Sequence, residues 1–120
     1  MGHINKTKKR EDFDSVLLKA VDEGLMILGV SVRITVYHYL KKDHDLRRED
    51  IPKNPEALDI GLRTLFGSGA SVIERHVLER LCAKLGLIYE EKEDESFIHY
   101  IKEARQMTAT QSLKPPSQYN

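Results

Sequence analysis

The stretch FGSGASVIERHVLERLCAKLG, residues 66–86, comes closest to a ligand site in residue type and spacing. Glycines ahead of a helix leave backbone N–H groups free to cradle a phosphate. A phosphate loop of that kind needs G-x-x-x-x-G-K-[ST] after a buried strand, and a dinucleotide loop needs G-x-G-x-x-G in the same setting. Gly67 and Gly69 have no third glycine and no Lys-Ser pair after them, and the residues before them are patterned as a helix. The expectation is therefore a helix stop at Gly67, a tight turn and a new helix. Ser71-Val-Ile-Glu74 matches the capping box S-x-x-E. Ser71 would accept from the N–H of Glu74, and Glu74 would reach back to the N–H of Ser71. That also gives Glu74 a reason to lie in the middle of an apolar face, where a carboxylate is costly.

The remaining reactive side chains do not assemble into a catalytic set. His38, Asp43, His44 and Asp45 fall within eight residues. Metal ligands must converge, often from i, i+4 positions, whereas His38 and His44 are six apart and fall on different sides of a helix. No metal site is expected there, and His44 suits a helix C-terminus. Cys82 sits late in its helix on the apolar face, far from the N-terminal dipole that activates a thiol, so it is expected to pack. There is no G-x-S-x-G elbow, and EEKEDE (residues 90–95) suits a solvated face. No catalytic, cofactor-binding or metal residue is expected, and an enzyme ranks last.

Basic residues form two clusters, Lys6-Lys8-Lys9-Arg10 and Lys41-Lys42-Arg47-Arg48, with Arg75 and Arg80 further on. A helix-turn-helix reader places such residues at the start of its recognition helix. Here Lys41, Lys42, Arg47 and Arg48 come at the end of theirs. Nucleic-acid binding through residues 6–10 and 41–48 is the alternative reading rather than the main one.

The whole chain sets the frame. Its 120 residues suit one domain. Lys+Arg and Asp+Glu both count 19, so the formal charge is zero, which does not favour a dedicated polyanion binder. One cysteine excludes an intramolecular disulfide and suits a reducing, cytoplasmic setting. No apolar run approaches the ~18 residues of a membrane span. Charge follows the N-terminus where a signal peptide would be apolar. Gly2 lacks the Ser or Thr at position 6 that myristoylation prefers, since Lys6 stands there.

The pattern predicts a flexible basic N-terminus over residues 1–11, one helical domain over 12–106 and a disordered tail over 107–120. Phe13, Val16, Leu17, Ala20, Val21, Gly24, Leu25 and Leu28 recur at helical spacing. Asp12 is placed to cap that helix and Gly29 to end it, and Gly24 on the apolar face predicts close approach of another helix. A second helix is expected from Ser31 as N-cap, with Val32, Val36, Tyr39 and Leu40 as its stripe and Ile34 and Tyr37 beside it. Its β-branched content would also suit a strand. Leu46 and Ile51 pin the connection, in which RRED is expected to make a helical turn before Pro52. Asn54-Pro55 starts a third helix that ends at Phe66 and buries Leu58, Gly61, Leu62, Leu65 and Phe66. Ile73, Val77, Leu78, Leu81, Cys82 and Leu85 form the face of a fourth, closed by Gly86. Phe97, Tyr100, Ile101 and Ala104 mark a fifth. The fold class expected is all-α, a compact bundle of four to five helices.

Taken in order, LLKAVDEGLMILG, VRITVYHYL, REDIPKNPEAL and LFGSGASVIERHVLERLCAKLG resemble the archaeal Nitrosopumilus output domain family over about residues 13–86. Val36-Tyr37 stands where that family usually has Ile-Tyr. The resemblance implies an output or adaptor module of archaeal signalling proteins, sometimes standing alone, with no catalytic residues to carry over. Residues 87–120 lie outside it. The function expected is a non-enzymatic regulatory or protein-interaction module without cofactor. Its protein partner is unnamed, and the breadth of the apolar faces on the second and fourth helices points to a homodimer.

Overall fold

A computed structural model describes residues 12–113. Among them the chain forms five α-helices joined by short 3₁₀ turns, and no strand. The first helix, α1, spans Phe13–Leu25 and is capped as its sequence predicts: Asp12 Oδ1 accepts from Ser15 N at 2.9 Å. Phe13, Val16, Leu17, Ala20, Val21, Gly24 and Leu25 are its buried stripe. The helix then tightens into a 3₁₀ turn, Met26–Leu28, and ends at Gly29. The change from 3.6 to 3 residues per turn takes Leu28 off the stripe and leaves it exposed.

The segment that also suited a strand is helical: α2 spans Val30–His44. Its N-cap is Gly29, not Ser31. The chain leaves the 3₁₀ turn at Gly29, whose carbonyl already accepts from Arg33 N at 3.1 Å. Ser31 is thus inside the first turn, where its hydroxyl cannot cap. Val36 and Leu40 are buried and Tyr37 and Tyr39 half-buried, but Val32 and Ile34 are exposed, so only the later part of the predicted stripe packs. At the far end Asp45 adopts a left-handed conformation, and Leu46 N donates to Leu40 O at 3.0 Å, turning Leu46 into the core.

The turn expected at RRED is a 3₁₀ helix, Arg48–Lys53, which continues through Pro52 and buries Ile51 and Pro52. Helix α3, Pro55–Phe66, starts as predicted, with Pro55 in the first turn and Asn54 Oδ1 accepting from Ala57 N at 3.3 Å. Leu58, Gly61 and Leu62 are buried, but Leu65 is exposed and Phe66 half-buried. Helix α4, Ala70–Leu85, closes at Gly86, where Leu87 N donates to Cys82 O at 2.9 Å. Helix α5 spans Phe97–Leu113. Ser96 Oγ accepts from His99 N at 3.1 Å at its start.

The disordered tail expected from residue 107 is corrected in part, since residues 107–113 continue α5. They carry no apolar period, but extending a helix already anchored costs far less than nucleating one. Residues 1–11, with the Lys6–Arg10 cluster, and residues 114–120 lie outside the described residues.

Helix α5 docks on the bundle. Phe97, Ile101 and Ala104 are buried. Arg105 donates to Asp14 Oδ1 at 2.8 Å and Pro52 O at 3.0 Å, and its guanidinium lies 4.5 Å from the centre of the Phe13 ring. One side chain thus ties α5 to the start of α1 and to the 3₁₀ connection.

The most extensive helix contact is between α1 and α4. Gly24 makes it possible: a Cβ there would collide with Val77 Cγ2 and stand 3.1 Å from the Val77 backbone nitrogen. Beside the contact, Glu23 pairs with Arg80 and Lys84, each at 2.8 Å. Gly24→Ala should therefore destabilise the fold by about 1–3 kcal/mol, the usual range for overpacking, although alanine is the better helix former. The measurement is the urea midpoint. Val77→Ala in the same background should recover part of the loss, whereas a Gly24→Ala protein as stable as the parent would show that the two helices can separate without cost.

Candidate functional site

The Gly-Ser-Gly step is a corner between two helices, as the sequence predicts. Gly67 has φ 59° and ψ −133°, a conformation that L side chains rarely adopt, and Gly67–Gly69 form one 3₁₀ turn leading straight into α4. The capping box does not form. The N-cap is Gly69, with no side-chain cap, and the N–H of Ala70 is taken by the Gly67 and Ser68 carbonyls. Ser71 is already inside the helix, and its hydroxyl donates to Ser68 O at 3.1 Å. Because the turn places Ser71 inside the helix, the reciprocal bonds of the box are not made and Glu74 is left for the core.

Glu74 instead turns into the core, where only 6% of it is exposed. Its carboxyl faces that of Asp59 on α3 closely enough for the two to share a proton. Burial pushes Glu74 up to about 9, and the hydrogen bond to Asp59 and the charge of Asp59 add to the effect. Burial also acts to raise Asp59. The hydrogen bonds from Glu74 and Arg63 and the charge of Arg63 outweigh it, and Asp59 stays below the usual carboxylate range. Arg63 Nε donates to Asp59 Oδ1 at 2.9 Å. Glu74 Oε2 is buried and finds no N–H or O–H donor in the protein.

A cavity of about 170 Å³ adjoins this pair, walled by Arg63, Ser71 and Glu74 on one side and Tyr89, Phe97 and Tyr100 on the other. A second, of about 190 Å³, lies between α4 and α5 with Leu78, Leu81, Cys82, Ala104 and Met107 in its walls. Cys82 is half-buried there, and burial followed by the charge of Glu103 raises its thiol pKa. A thiol so placed is protonated and a poor nucleophile.

Of the four basic candidates around the end of α2, Lys41, Arg47 and Arg48 share one open groove with Tyr37, His38 and Glu49, while Lys42 is exposed outside its lining. Arg48 is already engaged. Its Nε donates to Asp22 Oδ1 at 3.0 Å and its Nη2 to Oδ2 at 2.6 Å, and Tyr37 OH donates to Oδ1 at 2.5 Å. Burial alone would raise Asp22, but the hydrogen bonds from Arg48 and Tyr37 hold it below its ordinary value. Burial, then the bond to Asp22, raises the Tyr37 phenol. Arg48 therefore ties the 3₁₀ connection to α1.

His38 and His44 do not converge. His38 is exposed, while His44 Nε2 is 3.0 Å from Tyr39 OH in an edge-on ring contact. The groups that could hold a metal are others: Glu95, His99 and Glu103 bring one ligand atom each within 4.8 Å of one another. His99 Nε2 lies 3.6 Å from Glu95 Oε1 and 4.0 Å from Glu103 Oε1, so the two carboxylates flank the ring. The E-x₃-H-x₃-E spacing was the sequence signal for this grouping.

The apolar surface gathers at the junction of α1 and α2. Met26, Ile27, Leu28, Val30, Val32 and Ile34 are between 36% and 60% exposed, six large side chains in nine residues.

At a significant level the chain matches no protein-family model, no curated protein and no solved structure. No helix among the described residues is long and apolar enough to cross a membrane.

The Asp22 cluster yields a test with a defined sign. Its pKa is lower in the folded chain, so its stabilisation is present above the unfolded carboxylate pKa and is lost as pH falls through the folded value. Asp22→Asn should cost about 1–2 kcal/mol at pH 7, discounted for partial exposure. The deficit should shrink in denaturant titrations at pH 3. An equal deficit at both pH values would assign the loss to packing instead.

Proposed function

We propose that the chain is a non-enzymatic regulatory module that acts by binding protein, and that it associates with a second copy of itself through the run Met26–Ile34. The observation that carries this reading is the exposure of six large apolar side chains in that run. Full burial of a side chain of this size gains about 1.5–3 kcal/mol, and these, roughly half-exposed, would gain about half of that each. The run holds no acid and one cation, Arg33, and the whole chain has a formal charge of zero, so two copies meet without net repulsion. The resemblance to the archaeal output domain family points the same way, to an adaptor or signalling output in the cytoplasm.

Sedimentation velocity tests the reading. The protein should pass from monomer to dimer as its concentration rises into the micromolar to millimolar range. Ile27→Glu with Ile34→Glu should hold it monomeric, with the unfolding free energy changed by no more than about 0.5 kcal/mol, as for exposed positions. A protein that stays monomeric at millimolar concentration would overturn self-association.

A second reading rests on the groove containing Lys41, Arg47 and Arg48. If it takes nucleic acid, a short duplex should shift amide resonances over residues 41–48, with affinity falling steeply with salt. Lys41→Glu with Arg47→Glu should abolish the effect without touching the Asp22–Arg48 pair. Unchanged spectra at low salt would dismiss this groove.

A further inference from the structure

The carboxyls of Asp59 and Glu74 face each other across the interface of α3 and α4, and two carboxylates held that close, one of them buried, favour a proton between them. The surrounding cations do not replace it. Arg63 places its Nε on Asp59. Arg75 Nη1 lies 3.8 Å from Glu91, and Lys92 Nζ lies 3.9 Å from Glu95. The acids of α1, the helix packed most extensively on α4, are engaged elsewhere: Asp14 with Arg105, Asp22 with Arg48, Glu23 with Arg80 and Lys84. Tyr89 and Tyr100 face the adjoining cavity from the 87–96 connection and α5. Glu74 is the deeper acid, and its Oε2 is a buried atom without a donor.

From this arrangement we propose that the Asp59–Glu74 pair is a proton-binding site that clamps α3 to α4 across the Gly-Ser-Gly corner, and that loss of the proton opens the joint. The proton sits on Glu74, whose O–H donates to the Asp59 carboxylate that Arg63 stabilises from the other side. One proton therefore adds a polar contact between two helices joined by a three-residue turn. Removing it places a second negative charge at the interface, and separation of α3 from α4 relieves it. The joint closes in acid and neutral solution and opens toward alkaline pH.

The sign follows from linkage. An unfolded glutamate deprotonates near its ordinary value of about 4.3, and Glu74 in the fold near about 9. Between these limits the folded chain holds one proton more than the unfolded chain. The contribution is complete below the lower limit, and the folding equilibrium constant falls by up to about tenfold per pH unit as pH rises toward the upper one.

The decisive experiment is a ¹³C NMR titration of the side-chain carboxyls from pH 4 to 10, with urea midpoints at each pH, on the full chain and on two variants. In the parent, one glutamate carboxyl should keep its protonated shift beyond pH 7, and the amides of Gly67–Gly69 should move with the same midpoint. Glu74→Gln keeps a donor for Asp59 but cannot titrate. It should lack that resonance, lose the corner shifts and flatten the stability profile between pH 6 and 9. Asp59→Asn should leave a titrating Glu74 but lower its midpoint. The proposal is overturned if every glutamate of the parent is ionised by pH 6, a result that stands even if a variant fails to fold. It is also overturned if Glu74→Gln keeps the parent's alkaline slope or corner shifts. Neither result depends on dimerisation through Met26–Ile34.

Discussion

The bundle depends on how closely α1 can approach α4. Gly24 offers no side chain, and Val77 fills the space a Cβ would need. That contact brings Glu23 within reach of both Arg80 and Lys84, so ion pairs flank an apolar seam. The pairs are exposed and of small energetic weight. Their effect is to fix which faces of the two helices meet. With α4 held against α1, its remaining faces are available to α3 and α5. Arg105 then brings α5 back to the start of α1, so that the last helix reinforces the arrangement the first one began. The α2–α3 contact repeats the device on a smaller scale, with Gly61 accommodating Leu40.

Glu74 shows a local rule losing to tertiary packing. The S-x-x-E spacing is present, but a capping box requires Ser71 to stand outside the helix with free amides ahead of it. The 3₁₀ turn Gly67–Gly69 runs directly into α4 and takes up the Ala70 amide with its own carbonyls, leaving Ser71 inside the helix. Glu74 then meets the alternative that its place on the apolar face had made costly. Asp59 makes it tolerable, because a protonated carboxyl with a strong acceptor is a polar group with a partner, whereas an ionised one would be an isolated buried charge. The Arg63 guanidinium completes the chain of donors by stabilising the acceptor.

Helix boundaries were legible where a side chain acts on its own neighbours. Asp12, Asn54-Pro55 and Gly86 sit at the ends they predicted, and the stripes of α1 and α4 and the Gly24 approach match the periodicity. Ser31 misled because Gly29, two residues earlier, had already turned the chain. Leu28, Val32, Ile34 and Leu65 belong to apolar patterns yet remain exposed, since periodicity identifies a face but not where its neighbour stops. The candidate sites were less legible still. Asp22 and Arg48 are 26 residues apart, and Asp59 and Glu74 lie on different helices, so no local spacing announces either contact. The glycine corner could be recognised as a turn, but its effect on Glu74 depends on α3 lying alongside.

The position of the exposed apolar run relative to this framework bears on what it can do. Met26 follows Gly24 by two residues, so the run begins where the α1–α4 contact holds the chain most closely. From Val30 it continues along a helix whose later turns are anchored by Val36 and Leu40. Its backbone is therefore fixed at both ends by buried residues before any partner arrives. Association pays for ordering loops and side chains at an interface, and a surface already held in place pays less of that cost. Six apolar side chains on a mobile loop would lose much of their gain to that ordering. On a 3₁₀ turn and the first turns of an anchored helix they keep more of it, which favours binding over exposure as the role of this run.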